Sequence, residues 1–334
     1  MTEDCPIVQL IESEYYVRTQ INPLSPLDLS KNLKNQPLQL VPHHKRIINR
    51  MFHDIEEFNT YVFSAPKASA KTEIAGAITY AFLRIYGGEA FSVANDKEQA
   101  EGRLYDRILG ALKVMKEVNP ALFRKVVAKD YQGGRIQKNG VVEFADNNQV
   151  NPAPHLLKYI ANDYAGEAGA LNAWCAFDEI WGITQERGER LWTEMQPKPA
   201  VPVSKRFVST YAGFYGESHL LYGIYENTVK PDPHDSTIKL GTKVPGLEDL
   251  PVYQEGDYIV YWDEEPRMPW HTPEKLESAR VDPSNQGRES EYLRLWRNQW
   301  STGLDPYLSM EVINALMARG DGAGLKNQFA EMAL

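Results

Sequence analysis

Between residues 61 and 88 the hydrophobic pattern changes period across a short polar loop. Tyr61-Val62-Phe63 is an apolar run of strand type, 64–70 is the loop, and 71–86 is an alanine-rich helical stretch closed by Gly87-Gly88. A strand feeding a loop and then a helix opens a βαβ unit, which commits the chain to an α/β sheet with helices on its faces. The alternation continues downstream. Residues 90–94 predict a second strand. Asn95 or Asp96 is placed to cap a following helix, whose apolar face carries Ile108, Leu109, Leu112 and Met115 and which ends near Asn119-Pro120. Residues 173–177 and 205–209 predict further buried strands and 258–262 a late one; weaker strand signals fall at 124–128, 134–137, 141–145 and 155–160.

Outside this region the pattern loosens. Residues 1–42 read as an irregular arm, punctuated by Pro23, Pro26, Pro37 and Pro42, with a minor helix near 7–11. Ile47, Ile48, Met51, Phe52 and Ile55 predict an amphipathic helix over 43–57. After Thr210 the chain reads as a surface excursion over 211–257, and 285–300 predicts a helix. The expected organisation is an arm over 1–42, one folded domain over 43–300 and a short tail over 301–334. With 334 residues there is ample chain for such a core. A net charge of −9 argues against a wholly basic nucleic-acid coat, but not against a local basic patch or a motor that grips DNA as a ring. Cys5 and Cys175, far apart, argue against a disulfide framework and fit a reducing compartment. The N-terminus lacks the pattern of a signal peptide, and no apolar run reaches 18 residues, so no membrane span is expected.

The loop Ser64-Ala65-Pro66-Lys67-Ala68-Ser69-Ala70-Lys71-Thr72 stands where a phosphate-binding loop belongs. Amides at a helix start point at phosphates, and the helix dipole favours their charge. In the pattern G-x-x-x-x-G-K-[ST] the lysine reaches the β and γ phosphates and the hydroxyl holds magnesium; Lys71 and Thr72 occupy those places. Ala65 and Ala70 occupy the glycine places. A left-handed backbone at Ala70 would cost about 1–2 kcal/mol. Taken alone, the segment also reads as a surface loop feeding a helix.

The apolar strand ending Phe177-Asp178-Glu179 delivers two carboxylates to its C-terminal end, the edge at which open α/β sheets bind ligands. Asp178 suits magnesium, and Glu179 suits a general base that orients and deprotonates water. The strand ending Val208-Ser209-Thr210 places hydroxyls at the same edge, as a γ-phosphate sensor or as a plain cap.

Together these segments resemble the ATPase domain of the large terminase subunit of tailed bacteriophages. SAPKASAKTE resembles the family's phosphate loop, with Lys67 as its additional basic residue. The run from Ser92 through Asn95 to Ala100, Phe177-Asp178-Glu179-Ile180-Trp181-Gly182, Val208-Ser209-Thr210 and Arg294-Leu295-Trp296-Arg297-Asn298-Gln299-Trp300 resemble the family's later segments in order. The resemblance spans about residues 40–300. It implies an ASCE-type P-loop NTPase fold with a mostly parallel central sheet, and magnesium-dependent ATP hydrolysis that drives double-stranded DNA into a procapsid without sequence preference. It implies a portal protein and a small terminase subunit as partners, and a homo-oligomeric ring of five that is monomeric in isolation. The place of action is the host cytoplasm, on the procapsid, and not the mature virion or a membrane. A neighbouring subunit's arginine often completes such sites; Arg103 and Arg124 are the candidates, each also readable as a surface ion-pair residue. Gln39, with Gln36, is the candidate adenine contact, although His43 and His44 stand where the family's glutamine is expected.

Two departures bear on activity. The family usually carries a C-terminal nuclease domain, and the 34 residues after Trp300 are too few for one, so no nuclease activity is expected of this polypeptide. Ala70 leaves open a nucleotide-binding or structural P-loop module with little hydrolysis. Another DNA-dependent P-loop ATPase is the remaining alternative. Asp263-Glu264-Glu265, after the late strand, read as a solvated strand end rather than as a second carboxylate site.

Overall fold

The computed structural model describes residues 3–20, 33–94, 101–129, 136–160, 170–230, 241–282 and 289–302. The chain begins with α1 (Pro6–Glu14), the hairpin strands β1 (Tyr16–Gln20) and β2 (Leu33–Pro37), and α2 (Pro42–Met51). Then come β3 (Thr60–Ser64), α3 (Lys71–Ile85), β4 (Glu89–Val93), a π-helical turn (Glu101–Tyr105), α4 (Asp106–Val118) and α5 (Pro120–Val126). Next are β5 (Val141–Phe144), β6 (His155–Ile160), β7 (Asn172–Asp178), α6 (Glu186–Glu194), β8 (Lys205–Thr210), β9 (Phe214–Tyr215) and α7 (His219–Thr228). The last elements are β10 (Val252–Glu255), β11 (Tyr258–Trp262), α8 (Pro273–Arg280), α9 (Glu289–Arg297) and β12 (Ser301–Thr302).

One eight-stranded sheet organises the fold, in the order β10-β11-β3-β8-β7-β4-β6-β5. From β11 to β6 every pairing is parallel, while β10 and β5 run antiparallel along the edges. Because the pleat alternates sides, each central strand feeds two cores. Tyr61, Phe63, Trp174, Ala176 and Phe207 pack under α1–α4; Val62, Cys175, Phe177, Val208 and Val260 pack with α6, α7 and Trp300. Strands buried on both faces read as apolar runs, which is why β3 and β7 stand out in the sequence, while β8 shows only Phe207-Val208. The indole of Trp174 is fully buried, and its Nε1–H donates to Thr79 Oγ1 of α3 at 2.9 Å, which locks α3 onto the sheet.

Parallel pairing brings the C-terminal ends of β3, β8 and β7 to one edge. Ser64 pairs with Thr210, and Asp178 with Ser209. The loop after β3 and the carboxylates after β7 are thus separated by the single strand β8.

Several local readings need correction. The stretch 124–128 is helical through Val126, because Asn119 caps α5 by accepting from the Leu122 amide at 3.1 Å and Pro120 starts the helix. The Asn-Pro pair was a helix start as well as a helix end. The arm is not irregular throughout: Ile7, Val8 and Ile11 of α1 are buried in the main core, and Lys45 bridges to Asp4 and Glu12 at 2.6 and 2.8 Å. The supposed excursion contains α7 and the edge strand β10, with Val244, Leu247, Leu250 and Val252 buried. Asp263 is not a solvated strand end; it is buried, accepting from Tyr261 Oη at 2.6 Å and Arg267 Nε at 2.8 Å. The helix-cap reading at Asn95 or Asp96, most of 134–137 and nearly all of the tail lie outside the described residues.

Candidate active site

The loop between β3 and α3 turns by left-handed backbone at two alanines, Ala68 (φ 63°) and Ala70 (φ 59°, ψ 21°). Each costs about 1–2 kcal/mol in a residue with a Cβ. Neighbouring chain holds the loop against that strain. Trp270 Nε1–H donates to the Ala68 carbonyl at 2.8 Å, the His271 ring meets the Lys67 carbonyl at 3.0 Å, and the Lys67 amide donates to Leu295 O at 2.6 Å. Among the described residues nothing accepts from the amides of Ser69, Ala70, Lys71 and Thr72. Unsatisfied amides at the start of a 15-residue helix form an anion site.

Ala70→Gly is expected to raise the melting temperature by roughly 2 °C. Relief of the left-handed strain outweighs the flexibility that glycine adds to the unfolded chain, about 0.4–1 kcal/mol. A thermal melt that shifts downward would refute the strain at this position.

Lys71 starts α3 and is buried. Its Nζ donates to the carbonyls of Ala65 and Pro66 at 2.9 and 3.1 Å and lies 5.0 Å from the centre of the Tyr211 ring. Burial pulls its pKa down, while Glu179 and Asp178 oppose that shift. Thr72 Oγ1 stands 3.4 Å from both carboxylate oxygens of Asp178. Ser209 Oγ donates to Asp178 Oδ1 at 2.5 Å. Asp178 is raised by burial, with the Ser209 hydroxyl and then Arg103 and Lys71 opposing. A threonine hydroxyl beside a carboxylate is a hard-oxygen donor set, and it fits magnesium.

Glu179 also adopts left-handed backbone (φ 58°, ψ 52°), secured by its amide's 2.7 Å bond to Ser209 O. That turn swings its carboxylate off the strand line. Trp181 Nε1–H donates to its Oε2 at 2.8 Å. Burial pushes Glu179 up to about 7; Lys71 pulls it down and Asp178 adds to the rise. A carboxylate poised there is suited to take a proton near neutral pH.

A cleft of about 870 Å³ is lined by Lys67 through Glu73, Arg103, Arg107, Glu179, Trp181, Tyr211, Trp270 and Arg294, while Asp178 is buried against Thr72 and does not line it. Not every residue expected from sequence lies there. Ser64, Ala65 and Pro66 stay behind the loop. The Ser64 hydroxyl bonds to Asn298 Oδ1 at 3.1 Å, and Ala65 and Pro66 contribute only carbonyls to Lys71. Ser209 touches Asp178 and does not line the cleft, while Thr210 Oγ1 donates to the Tyr211 carbonyl at 3.0 Å. Arg103, on the π-helical turn, faces its own chain's cleft; Arg124 is exposed on α5 and does not line it. Gln39 lines an adjoining cleft of about 580 Å³ with Gln36, His44, Ala70, Ile74 and Trp270. Its Nε2 also donates to the Glu12 and Pro37 carbonyls at 3.3 and 3.4 Å.

Sequence reading missed Trp181, Tyr211, Trp270 and Arg294 as site residues. The first two follow directly on the acidic pair and on Ser209-Thr210, so adjacency to strand ends was their available signal. Trp270 arrives from a distant segment and carries no signal; Arg294 opens a segment that resembles the family, but nothing in its local pattern points it at the site.

No family model matches the sequence, and no curated protein matches it. Among solved structures, the large terminase of bacteriophage HK97 superposes with a TM-score of 0.56 at 15% identity, covering 92% of this chain and 57% of that one. The chain therefore spans little more than half the length of that protein. The ATPase domain of the Thermus phage P74-26 large terminase, as an arginine-to-alanine mutant, aligns at a TM-score of 0.47 and 15% identity over 76% of this chain and 92% of that one. The likeness to the HK97 protein shows the fold, a mixed α/β domain with a mostly parallel eight-stranded central sheet flanked by helices.

Proposed function

We propose that the chain is a magnesium-dependent ATPase and the motor domain of a terminase-like DNA-packaging machine. One observation supports this above the others: Lys71, Thr72, Asp178 and Glu179 converge at the C-terminal edge of one parallel sheet, beside unpaired helix-start amides. In this reading the amides of 69–72 bind phosphate oxygens. Lys71 leaves the Ala65 and Pro66 carbonyls for the β and γ phosphates. Thr72 and Asp178 hold magnesium, which supplies charge neutralisation at the phosphates when bound. Glu179, released from Trp181, orients a water and accepts its proton. Gln39 and Trp270, in the adjoining cleft, are placed for the base.

The wider role follows the same family likeness: translocation of double-stranded DNA by a ring of subunits on a portal, with a small terminase subunit, in the host cytoplasm. A duplex motor contacts phosphates rather than base edges, so little sequence preference is expected.

Magnesium-dependent ATP hydrolysis at high protein concentration, with and without duplex DNA, tests the proposal. Turnover stimulated by DNA is the expected result. The rate at limiting ATP should fall as pH drops below about 7, because Glu179 must be ionised to accept a proton and burial holds its pKa there. Neither binding nor hydrolysis of ATP would leave a structural P-loop module as the better reading.

A further inference from the structure

Among the described residues, Arg294 is the buried cation lining this cleft that the proposed reaction has not used. Its side chain is only 6% exposed, projecting from α9. The guanidinium carbon sits 4.3, 4.6 and 5.1 Å from the ring centres of Phe214, Trp181 and Tyr211. Nη2 donates to Glu291 at 2.9 Å, while Nε and Nη1 have no acceptor among the described residues. Leaving buried guanidinium donors unpaired is unfavourable; three aromatic faces hold the charge, and the Tyr211 hydroxyl lies near the guanidinium without a well-formed bond to Nε or Nη1. The guanidinium also lines the same cleft as Lys71, Thr72 and Glu179.

We infer that Arg294 is a phosphate ligand supplied by the chain's own α9, which binds the terminal phosphate of a nucleoside triphosphate and so distinguishes it from the diphosphate. The inference rests on the nucleotide reading above and extends it. Three observations favour the terminal phosphate over the rest of the nucleotide. First, one of the three rings around Arg294 belongs to Trp181, whose Nε1–H binds the proposed base Glu179. That places the guanidinium at the hydrolytic end of the cleft; Gln39 lines the other, adjoining cleft. Second, a guanidinium fork matches two phosphate oxygens: Nη2 carries two N–H groups, Glu291 takes one, and the other can pair with Nε or Nη1, which have no acceptor among the described residues. Third, α9 is fastened to the phosphate loop through the bond from the Lys67 amide to Leu295 O. Just past α9, Asn298 accepts from the Ala212 amide at 2.7 Å and donates to the Asp263 carbonyl at 2.9 Å, tying the helix end to the segments after β8 and β11. A phosphate held by Arg294 would thus be registered by the helix and by two strand ends.

Equilibrium titration of the whole chain with ATPγS and with ADP, both with magnesium, tests this, using the unmodified protein, Arg294→Gln and Arg294→Lys, with a thermal melt of each. Arg294→Gln is expected to weaken ATPγS roughly tenfold or more while changing ADP less than about threefold; Arg294→Lys recovers part of the loss. Equal loss of both nucleotides, or no loss of either, in variants that melt like the unmodified chain would overturn the inference. A variant that unfolds while Arg294→Lys stays folded with both affinities intact would also overturn it, assigning the arginine to packing alone. Binding of neither nucleotide by the unmodified chain would overturn the nucleotide reading itself, and this inference with it.

Discussion

Glu179→Gln is expected to abolish ATP hydrolysis while leaving ATP bound, with kcat lower by about 10²–10⁴. Glutamine keeps the shape and the acceptor oxygen that Trp181 Nε1–H engages at 2.8 Å, and it loses only the capacity to take a proton. The same substitution should stabilise the empty protein at pH 8. Burial holds Glu179 near 7 in the folded chain, above the 4.5 of an exposed glutamate. Between those values the folded state binds the proton more tightly than the unfolded state does, so the stability associated with this group is complete below about 4.5 and is lost as pH rises through about 7. Removing the charge removes that loss. The gain is of the order of 3 kcal/mol, with the attraction to Lys71 already counted in the pKa of about 7. Single-turnover hydrolysis, nucleotide titration and melts at pH 5 and pH 8 read all of this. Hydrolysis at the unmodified rate would take Glu179 out of the base role, and a destabilisation at pH 8 would mean that its attraction to Lys71 exceeds the cost of burying it.

The parts of this site that could be read from sequence are those carried by local pattern. β3, β7 and β8 are buried on both faces, so Tyr61 to Phe63 and Ala173 to Phe177 show as apolar runs, and Phe207-Val208 marks the third strand. Their parallel order brings Lys71, Thr72, Asp178 and Glu179 together, and an α/β sheet leaves few other places for loops at strand ends. Ala70 was recognised as a glycine substitute, and its left-handed φ of 59° is the expected consequence. What could not be read depends on distant segments meeting. Trp270 reaches the Ala68 carbonyl, and Arg294 reaches Trp181, across more than a hundred residues of sequence. The direction of a side chain at a strand end was also hidden. Ser209 points to Asp178 and Ser64 to Asn298, so neither lines the cleft although their strands end beside it. Helix α5 is hidden for a different reason: one Asn-Pro pair both ends α4 and starts α5, so the stop signal masks the start signal.

Lys71→Met should weaken ATP by roughly 10- to 100-fold and yet leave the fold as stable as before or more so. In the empty protein the ammonium is buried and, among the described residues, hydrogen-bonded to the carbonyls of Ala65 and Pro66, and burial pulls its pKa down. A lysine with a depressed folded pKa binds its proton less tightly folded than unfolded. Its charge therefore lowers stability at pH values below the folded pKa, and the penalty fades as pH rises toward the unfolded value, near 10.4. Methionine fills nearly the same volume without the penalty. The opposing effect is loss of attraction to Glu179 and Asp178, both themselves raised by burial. Protonation of Glu179 limits that loss, so the desolvation of the ammonium is expected to dominate at pH 6 and to dominate less at pH 8. Calorimetric titration with ATP, together with melts at the two pH values, separates the contributions. A variant that binds ATP as tightly as the unmodified chain would exclude Lys71 as the phosphate lysine. Large destabilisation at pH 6 would show instead that its bonds to Ala65 and Pro66 hold the loop closed. With weaker binding and an unchanged or raised melting temperature, the buried ammonium is retained for the phosphate rather than for the fold.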